Sequence, residues 1–166
     1  LEITAKLKNR YKKLPLISGG GATQAGAYDL FAAGADGVRV GVGTGTICVT
    51  RLVTGVGVPQ ISALEAAVRA KMKFKNRFVI ADGGTKNSGD IVKALAMGAS
   101  AVIVGSQIAG TDEAPGKIIE REGIVYKEYN GSTSLVEKKR QMKKHNGQKP
   151  HFKLHIEGVE AMVRYK

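Results

Sequence analysis

Short apolar runs rich in β-branched residues alternate along this chain with longer stretches whose apolar positions recur every three or four residues. That alternation predicts buried strands succeeded by amphipathic helices. Residues 1–13 place Ile3, Leu7 and Tyr11 at helical spacing with lysines opposite, which predicts a helix. Residues 14–18 are an apolar run bounded by glycines and predict a buried strand; residues 23–33 predict an alanine-rich helix stopped by Gly34. A second strand is expected at 37–40. Residues 61–73 then predict a helix with Leu64, Ala67, Val68 and Met72 facing inward. A third strand at 78–81, a helix over 88–97 capped by Ser88 and stopped by Gly98, and a fourth strand at 101–104 complete the succession.

These elements repeat. Residues 32–41, Ala-Ala-Gly-Ala-Asp-Gly-Val-Arg-Val-Gly, match residues 96–105, Ala-Met-Gly-Ala-Ser-Ala-Val-Ile-Val-Gly, at an offset of 64 positions. The same offset lays Ser18-Gly19-Gly20 on Asp82-Gly83-Gly84. Two copies of a βαβα pair imply an α/β fold with a parallel sheet, and favour a (β/α)8 TIM barrel over a doubly wound sheet. Four βα units are half of eight, and a complete barrel runs to about 250 residues. Residues 1–116 are therefore expected to supply the C-terminal half of a barrel, entered in mid-barrel, with an open sheet edge at residues 14–18. Residues 117–122 and 124–129 read as a β-hairpin turned at Glu122-Gly123. Residues 117–166, comprising that hairpin, a basic flap and a final apolar patch over 152–163, are expected to belong to the same domain.

Composition narrows the class. A chain of 166 residues with 43% hydrophobic and 24% charged residues suits a soluble globular domain. No apolar run approaches the roughly 18 residues a membrane span needs, and no basic-then-apolar leader opens the chain. A soluble, cytoplasmic protein with no membrane partner is expected. One cysteine excludes an intrachain disulfide framework and a multi-cysteine metal site. The net charge of +12 admits a nucleic acid, an anionic membrane or a phosphorylated small molecule as partner. Residues 137–150 carry much of that charge with hardly an aromatic among them, whereas nucleic-acid readers interleave stacking side chains. The run reads as solvated mobile surface, and nucleic acid is the less favoured partner.

The chemistry gathers at the strand ends. After residues 37–40 come Gly41, Gly43 and Gly45, then the sole cysteine, Cys48, with hydroxyls at Thr44, Thr46 and Thr50 and cations at Arg39 and Arg51. Such glycines let backbone approach a ligand, and nearby positive charge favours the nucleophilic thiolate. Taken alone, Cys48 reads equally well as a small buried apolar residue. In a barrel, however, this loop, Asp82-Gly83-Gly84 and Gly105-Ser106 share the catalytic face. Gly84, Gly105, Ser106 and Thr46 then suit one phosphate. Asp82 is placed to accept both hydroxyls of a ribose, or else to serve as a turn or cap residue.

The Cys48 loop, Asp82-Gly83-Gly84 and Gly105-Ser106 together resemble the signature of the IMP dehydrogenase and GMP reductase family, over essentially the whole chain. The resemblance implies a purine nucleotide oxidoreductase that uses NAD or NADP and forms a covalent adduct between Cys48 and C2 of a purine nucleoside monophosphate. It assigns phosphate to Thr46, Gly105 and Ser106, and the ribose to Asp82 with Gly83 and Gly84. Arg39 falls near the nucleotide, and Tyr129 and Gly131 match the family's Tyr-x-Gly purine contacts. The resemblance further implies a monovalent cation, K+, on the carbonyls of Gly43, Gly45 and Cys48, and a homotetramer.

Several positions depart from the family pattern. Gly19-Gly20 stands for the usual Gly-Asn, Thr46 for the commoner serine, and Asn130-Gly131-Ser132-Thr133-Ser134 for the dehydrogenases' Arg-Gly-Met-Gly-Ser. Dehydrogenases activate the hydrolytic water with an Arg-Tyr pair on a mobile flap; counted from Ser134, His145-Asn146 stands about there, and no such pair occurs between Ser134 and Phe152. Reductases use a threonine two residues after the cysteine and a glutamate near the chain end. Thr50 and Glu157 match these, although dehydrogenases also carry a Glu-Gly at the second place. The reading leans to reduction of GMP with Cys48, Thr50 and Glu157 catalytic. Oxidation of IMP to XMP is the alternative, and a non-catalytic nucleotide-binding relative a further one.

Overall fold

Gly34 and Gly98, which end the two copies of the repeat, both adopt φ +98°, a backbone conformation that a side chain would strain. The residues before them, Ala33 and Met97, are nearly superimposable in φ and ψ as well, so the sequence repeat is a repeat of structure. The computed structural model describes residues 1–144 and 156–166. In chain order its elements are α1 (Glu2–Arg10), β1 (Ile17–Gly21), α2 (Gln24–Ala32), β2 (Gly37–Val40), α3 (Thr50–Thr54), α4 (Gln60–Lys71), β3 (Phe78–Asp82), α5 (Ser88–Ala96), β4 (Ala101–Ile103), β5 (Ile118–Arg121), β6 (Ile124–Asn130), α6 (Leu135–Lys144) and β7 (Glu160–Arg164). They fall into two compact units, Leu1–Gly45 with Gly57–Val104, and Thr46–Val56 with Gly105–Lys166.

The first unit is a mixed α/β layer built on a four-stranded parallel sheet in the order β1-β2-β3-β4. Its core comprises Val38 and Val40 from β2, Val79 and Ala81 from β3, Phe31 and Ala27 from α2, and Leu64, Ala63, Ala67 and Ala70 from α4. Helices α2 and α4 pack together, and burying Phe31 and Leu64 contributes about 1.5–3 kcal/mol each. Asp36 ties the layer together at one end: its carboxylate accepts from Lys8 Nζ at 2.6 Å, from the Leu16 amide at 2.8 Å and from Arg77 Nη1 at 2.5 Å. Those partners, the Lys8 ammonium foremost, hold the Asp36 carboxyl below its ordinary range.

The second unit is held differently. β5, β6 and β7 form an antiparallel sheet in that order. The hairpin turns at Glu122 and Gly123, with φ of 53° and 74°, the left-handed pair that matches the twist of two strands. Lys127 on β6 is 4% exposed and donates from Nζ to the carbonyls of Thr111 at 2.6 Å and Asp112 at 3.3 Å. The Asp112 carboxylate in turn accepts from the Tyr165 hydroxyl just beyond β7.

Several local expectations shift. The first strand is Ile17–Gly21 rather than 14–18, because Pro15 has no amide to donate and the Leu16 amide goes to Asp36. Met72 is 80% exposed at the end of α4 instead of facing inward. In α1 the apolar Ile3, Leu7 and Tyr11 are exposed, and Thr4 is the buried residue, sharing a 3.0 Å hydrogen bond with Ser18. Asn87, one residue earlier than Ser88, caps α5 by accepting from the Asp90 amide. Helices α3 and α6 and strand β7 arise where no regular element is expected; α6 occupies the start of the basic run. His145-Asn146, the rest of that run and the first part of the 152–163 patch lie outside the described residues. Among the described residues no helix is long and apolar enough to cross a membrane.

Candidate active site

Each unit brings its own share of the expected residues together. In the first, β2 and β3 run parallel with Val40 beside Ala81, which carries Arg39 and Asp82 to neighbouring strand ends. Arg39 Nη1 pairs with Asp82 Oδ2 at 2.9 Å, both side chains partly open to solvent. An exposed pair contributes little stability, typically 0–1 kcal/mol, so its cost in side-chain entropy is better understood as presentation of a carboxylate edge. Behind it the glycine turns interlock. Thr44 donates to the Asp82 carbonyl at 3.0 Å, and the Gly84 amide donates to the Thr44 carbonyl at 2.9 Å. A Cβ on Gly83 would meet Thr44 Oγ1 at 2.6 Å, so the turn admits no side chain. The Gly84 amide, expected to cradle phosphate, is thus already committed to Thr44.

In the second unit, Thr46 and Ser106 place their hydroxyls 3.3 Å apart. Gly105 lies close under the Tyr129 hydroxyl, 2.5 Å from where a Cβ would stand. Burial pushes the Tyr129 phenol up, so it remains a donor at neutral pH. Gly105-Ser106 opens a series of turns closed by Ile108 and Ala109 amides on the Gly105 carbonyl, rather than a helix; no helix dipole assists an anion here. The three hydroxyls and the open backbone at Gly105 are suited to the oxygens of a phosphate.

Cys48 stands at the centre of a second cluster. It is partly buried and lies opposite Gly158 in an antiparallel bridge. The ties on either side are the Val49 amide to the Glu157 carbonyl at 2.9 Å and the Val159 amide to the Ile47 carbonyl at 3.1 Å. Gly131 packs against the same segment, its amide on the Val159 carbonyl and its Cα so close to Gly158 that a Cβ would lie 3.0 Å away. This ladder aligns three side chains. Cys48 Sγ donates to Thr50 Oγ1 at 3.1 Å, and Thr50 Oγ1 donates to Glu157 Oε2 at 2.8 Å. A thiol, a hydroxyl and a carboxylate in series can pass a proton from sulfur to carboxylate through the hydroxyl, leaving a nucleophilic thiolate.

The fold brings together residues to which the resemblance gives one role, Thr46 with Ser106 and Cys48 with Thr50 and Glu157, and it adds the pairing of Arg39 with Asp82, which the sequence did not show. Also missed were Thr44 and Gln60 as supports of the Asp82 turn. Gln60 follows Pro59 at the start of α4 and donates from Nε2 to the Val40 carbonyl at 2.9 Å; as one of several polar residues on an amphipathic helix it gives no signal in the sequence. Between Gly43 and Gly45, the Thr44 carbonyl is spent on the Gly84 amide.

A sequence model of the IMP dehydrogenase / GMP reductase domain matches residues 1–166. An inosine-5'-monophosphate dehydrogenase of Aquifex aeolicus is 47% identical over 167 residues, covering 100% of this chain and 34% of the relative. Escherichia coli has one that is 47% identical over 168 residues, covering 100% and 34%. In Nitrosopumilus maritimus the figure is 45% over 165 residues, covering 96% and 34%. The chain thus spans about a third of the length of the curated relatives it matches. All three relatives are named dehydrogenases, which corrects the lean towards GMP reduction: Thr50 and Glu157 do not by themselves mark a reductase. By sequence over its whole length, the chain belongs to the IMP dehydrogenase and GMP reductase family.

Proposed function

We propose that this chain carries the chemistry of an IMP dehydrogenase, oxidising IMP to XMP with NAD, on residues that form half of a (β/α)8 barrel at 1–116 and its hairpin and flap at 117–166. The observation that supports it most directly is the series Cys48–Thr50–Glu157, together with the dehydrogenase names of the relatives. Thr46, Gly105 and Ser106 hold the 5′-phosphate by hydroxyl and backbone groups. Asp82, with Gly83 and Gly84 forming the turn beneath it, accepts the ribose hydroxyls beside Arg39. Tyr129 and Gly131 flank the base.

The thiol proton passes through Thr50 to Glu157 and then to solvent, and the Cys48 thiolate attacks C2 of the purine. C2 loses its hydrogen as hydride, and the sulfur is left joined to C2 as a thioimidate. NAD, bound, supplies the acceptor of that hydride; no described residue is assigned to it, and the partial exposure of Cys48 leaves an approach to the purine open. Water then attacks C2, Thr50 and Glu157 take its proton, and the carbon–sulfur bond breaks to release XMP and the thiolate. The proposal extends to K+ on the carbonyls of Gly43, Gly45 and Cys48, to a homotetramer and to a cytoplasmic setting, which the family resemblance alone supports.

The test supplies the full-length protein with IMP and NAD and, separately, with GMP and NADPH. Formation of NADH and XMP from the first pair is expected. Consumption of NADPH on GMP, with no NADH formed from IMP, would overturn the dehydrogenase reading.

A further inference from the structure

Gln60 has a bond and a deficit that packing does not explain. Its Nε2 donates to the Val40 carbonyl at 2.9 Å. That carbonyl can only accept, which fixes the orientation of the carboxamide and turns Oε1 the other way. Oε1 is buried and has no hydrogen-bond partner among the described residues. Leucine or methionine would fill the same space without stranding a buried acceptor, so the amide is to be accounted for by the bond its nitrogen makes. The place of that bond is specific. A Cβ on Gly41 would lie 3.0 Å from Oε1, and one on Gly84 would lie 2.9 Å from Gln60 Cβ. One side chain therefore fills the notch between the exit of β2 and the exit of β3, against glycines on both. Arg39 stands one residue before Val40 on β2, and Asp82 two residues before Gly84 at the end of β3.

We propose that Gln60 is a positioning residue for ribose recognition: its carboxamide fixes the ends of β2 and β3 so that Asp82, paired with Arg39, presents its carboxylate edge to a ribose diol. The inference rests on the assignment of ribose to Asp82 made above. Gln60 meets no substrate in this account; it acts through the backbone that carries the Arg39–Asp82 pair. Thr44, with its bonds to the Asp82 carbonyl and the Gly84 amide, also holds this turn.

Its test is the binding of IMP and of 2′,3′-dideoxy-IMP to the full-length protein, as wild type and as Gln60→Met, Gln60→Glu, Asp82→Ala and the double variant Gln60→Met with Asp82→Ala. Wild type is expected to favour the ribonucleotide by roughly tenfold or more, the worth of a charge-assisted hydrogen bond. Both Gln60 variants should lose most of that preference while binding the dideoxy nucleotide as wild type does. Adding Gln60→Met to Asp82→Ala should change the preference no further, the signature of two residues acting as one unit. Either Gln60 variant suffices if the other does not fold. An undiminished preference in the Gln60 variants, or an equal loss of affinity for both nucleotides, overturns the positioning role and leaves the Asp82 assignment intact. Absence of any preference in wild type overturns that assignment, and this inference with it.

Discussion

The two units differ in what they bury. The parallel-sheet unit encloses an apolar cluster running from Ala27 to Ala99, with Phe31 and Leu64 as its largest members. Among the described residues of the hairpin unit the buried side chains are Ala109, the ammonium-bearing Lys127 and Ser134, and its order rests on hydrogen bonds such as those of Lys127 to Thr111 and Asp112. Apolar burial is the dominant favourable term in folding, while a buried charge costs free energy unless its hydrogen bonds are met. The lesson is a division of labour. The first unit encloses the apolar core; the second, which holds Cys48, Thr50 and Glu157, buries little apolar side chain among its described residues.

The sharpest way to break that contrast is Glu157→Gln, which keeps the shape of the Cys48–Thr50–Glu157 series and removes the proton acceptor. A loss in turnover of about 10²–10⁴-fold is expected for removing a general base, with the thermal unfolding midpoint nearly unchanged. Steady-state kinetics alongside calorimetry checks it. The converse is Leu64→Ala, fully buried in the first unit: a destabilisation of about 2–5 kcal/mol, read by denaturant titration, with the reactivity of Cys48 towards a thiol reagent little altered in the folded protein. A smaller effect concerns acid. The Asp36 carboxyl is lowered by Lys8, the Leu16 amide and Arg77, so its folded pKa lies below the unfolded value near 3.9. Its contribution to stability is present above that value and is lost as pH falls through the folded pKa. Unfolding midpoints measured downward from about pH 5 should fall less steeply in Asp36→Asn than in wild type.

The first unit was largely legible in the sequence, because its pattern is local and repeated. The offset of 64 residues placed β2, β3 and α5 within a residue or two, and glycines 34 and 98 marked both helix ends. What local pattern could not show was that Asp36, an ordinary polar residue between helix and strand, recruits Lys8, Leu16 and Arg77 from three separate segments and so delays β1 past Pro15. The second unit was less legible for a related reason. Strand β7 has meaning only through its register with β6, Tyr129 opposite Ala161 and Asn130 opposite Glu160, and α6 has few apolar residues among its lysines. Of the site, the cysteine and the hydroxyls around it were evident from the glycine-rich loop, and the part given to Thr50 came from the family resemblance. Glu157 was found only through the family resemblance, and Gln60 and Thr44 are supports whose partners are backbone atoms, which leave no mark in side-chain spacing.

The central claim is that Cys48 bonds to C2 of the purine. It is tested most directly by quenching the full-length protein with acid during turnover of IMP and NAD, digesting it and weighing the peptide that holds Cys48. The account predicts a mass increase on Cys48 equal to the oxidised nucleotide, absent without NAD and absent in Cys48→Ser, which should bind IMP within roughly tenfold of wild type because the thiol is only a weak hydrogen-bond partner and its replacement removes no strong contact. Steady turnover of IMP by Cys48→Ser would contradict it.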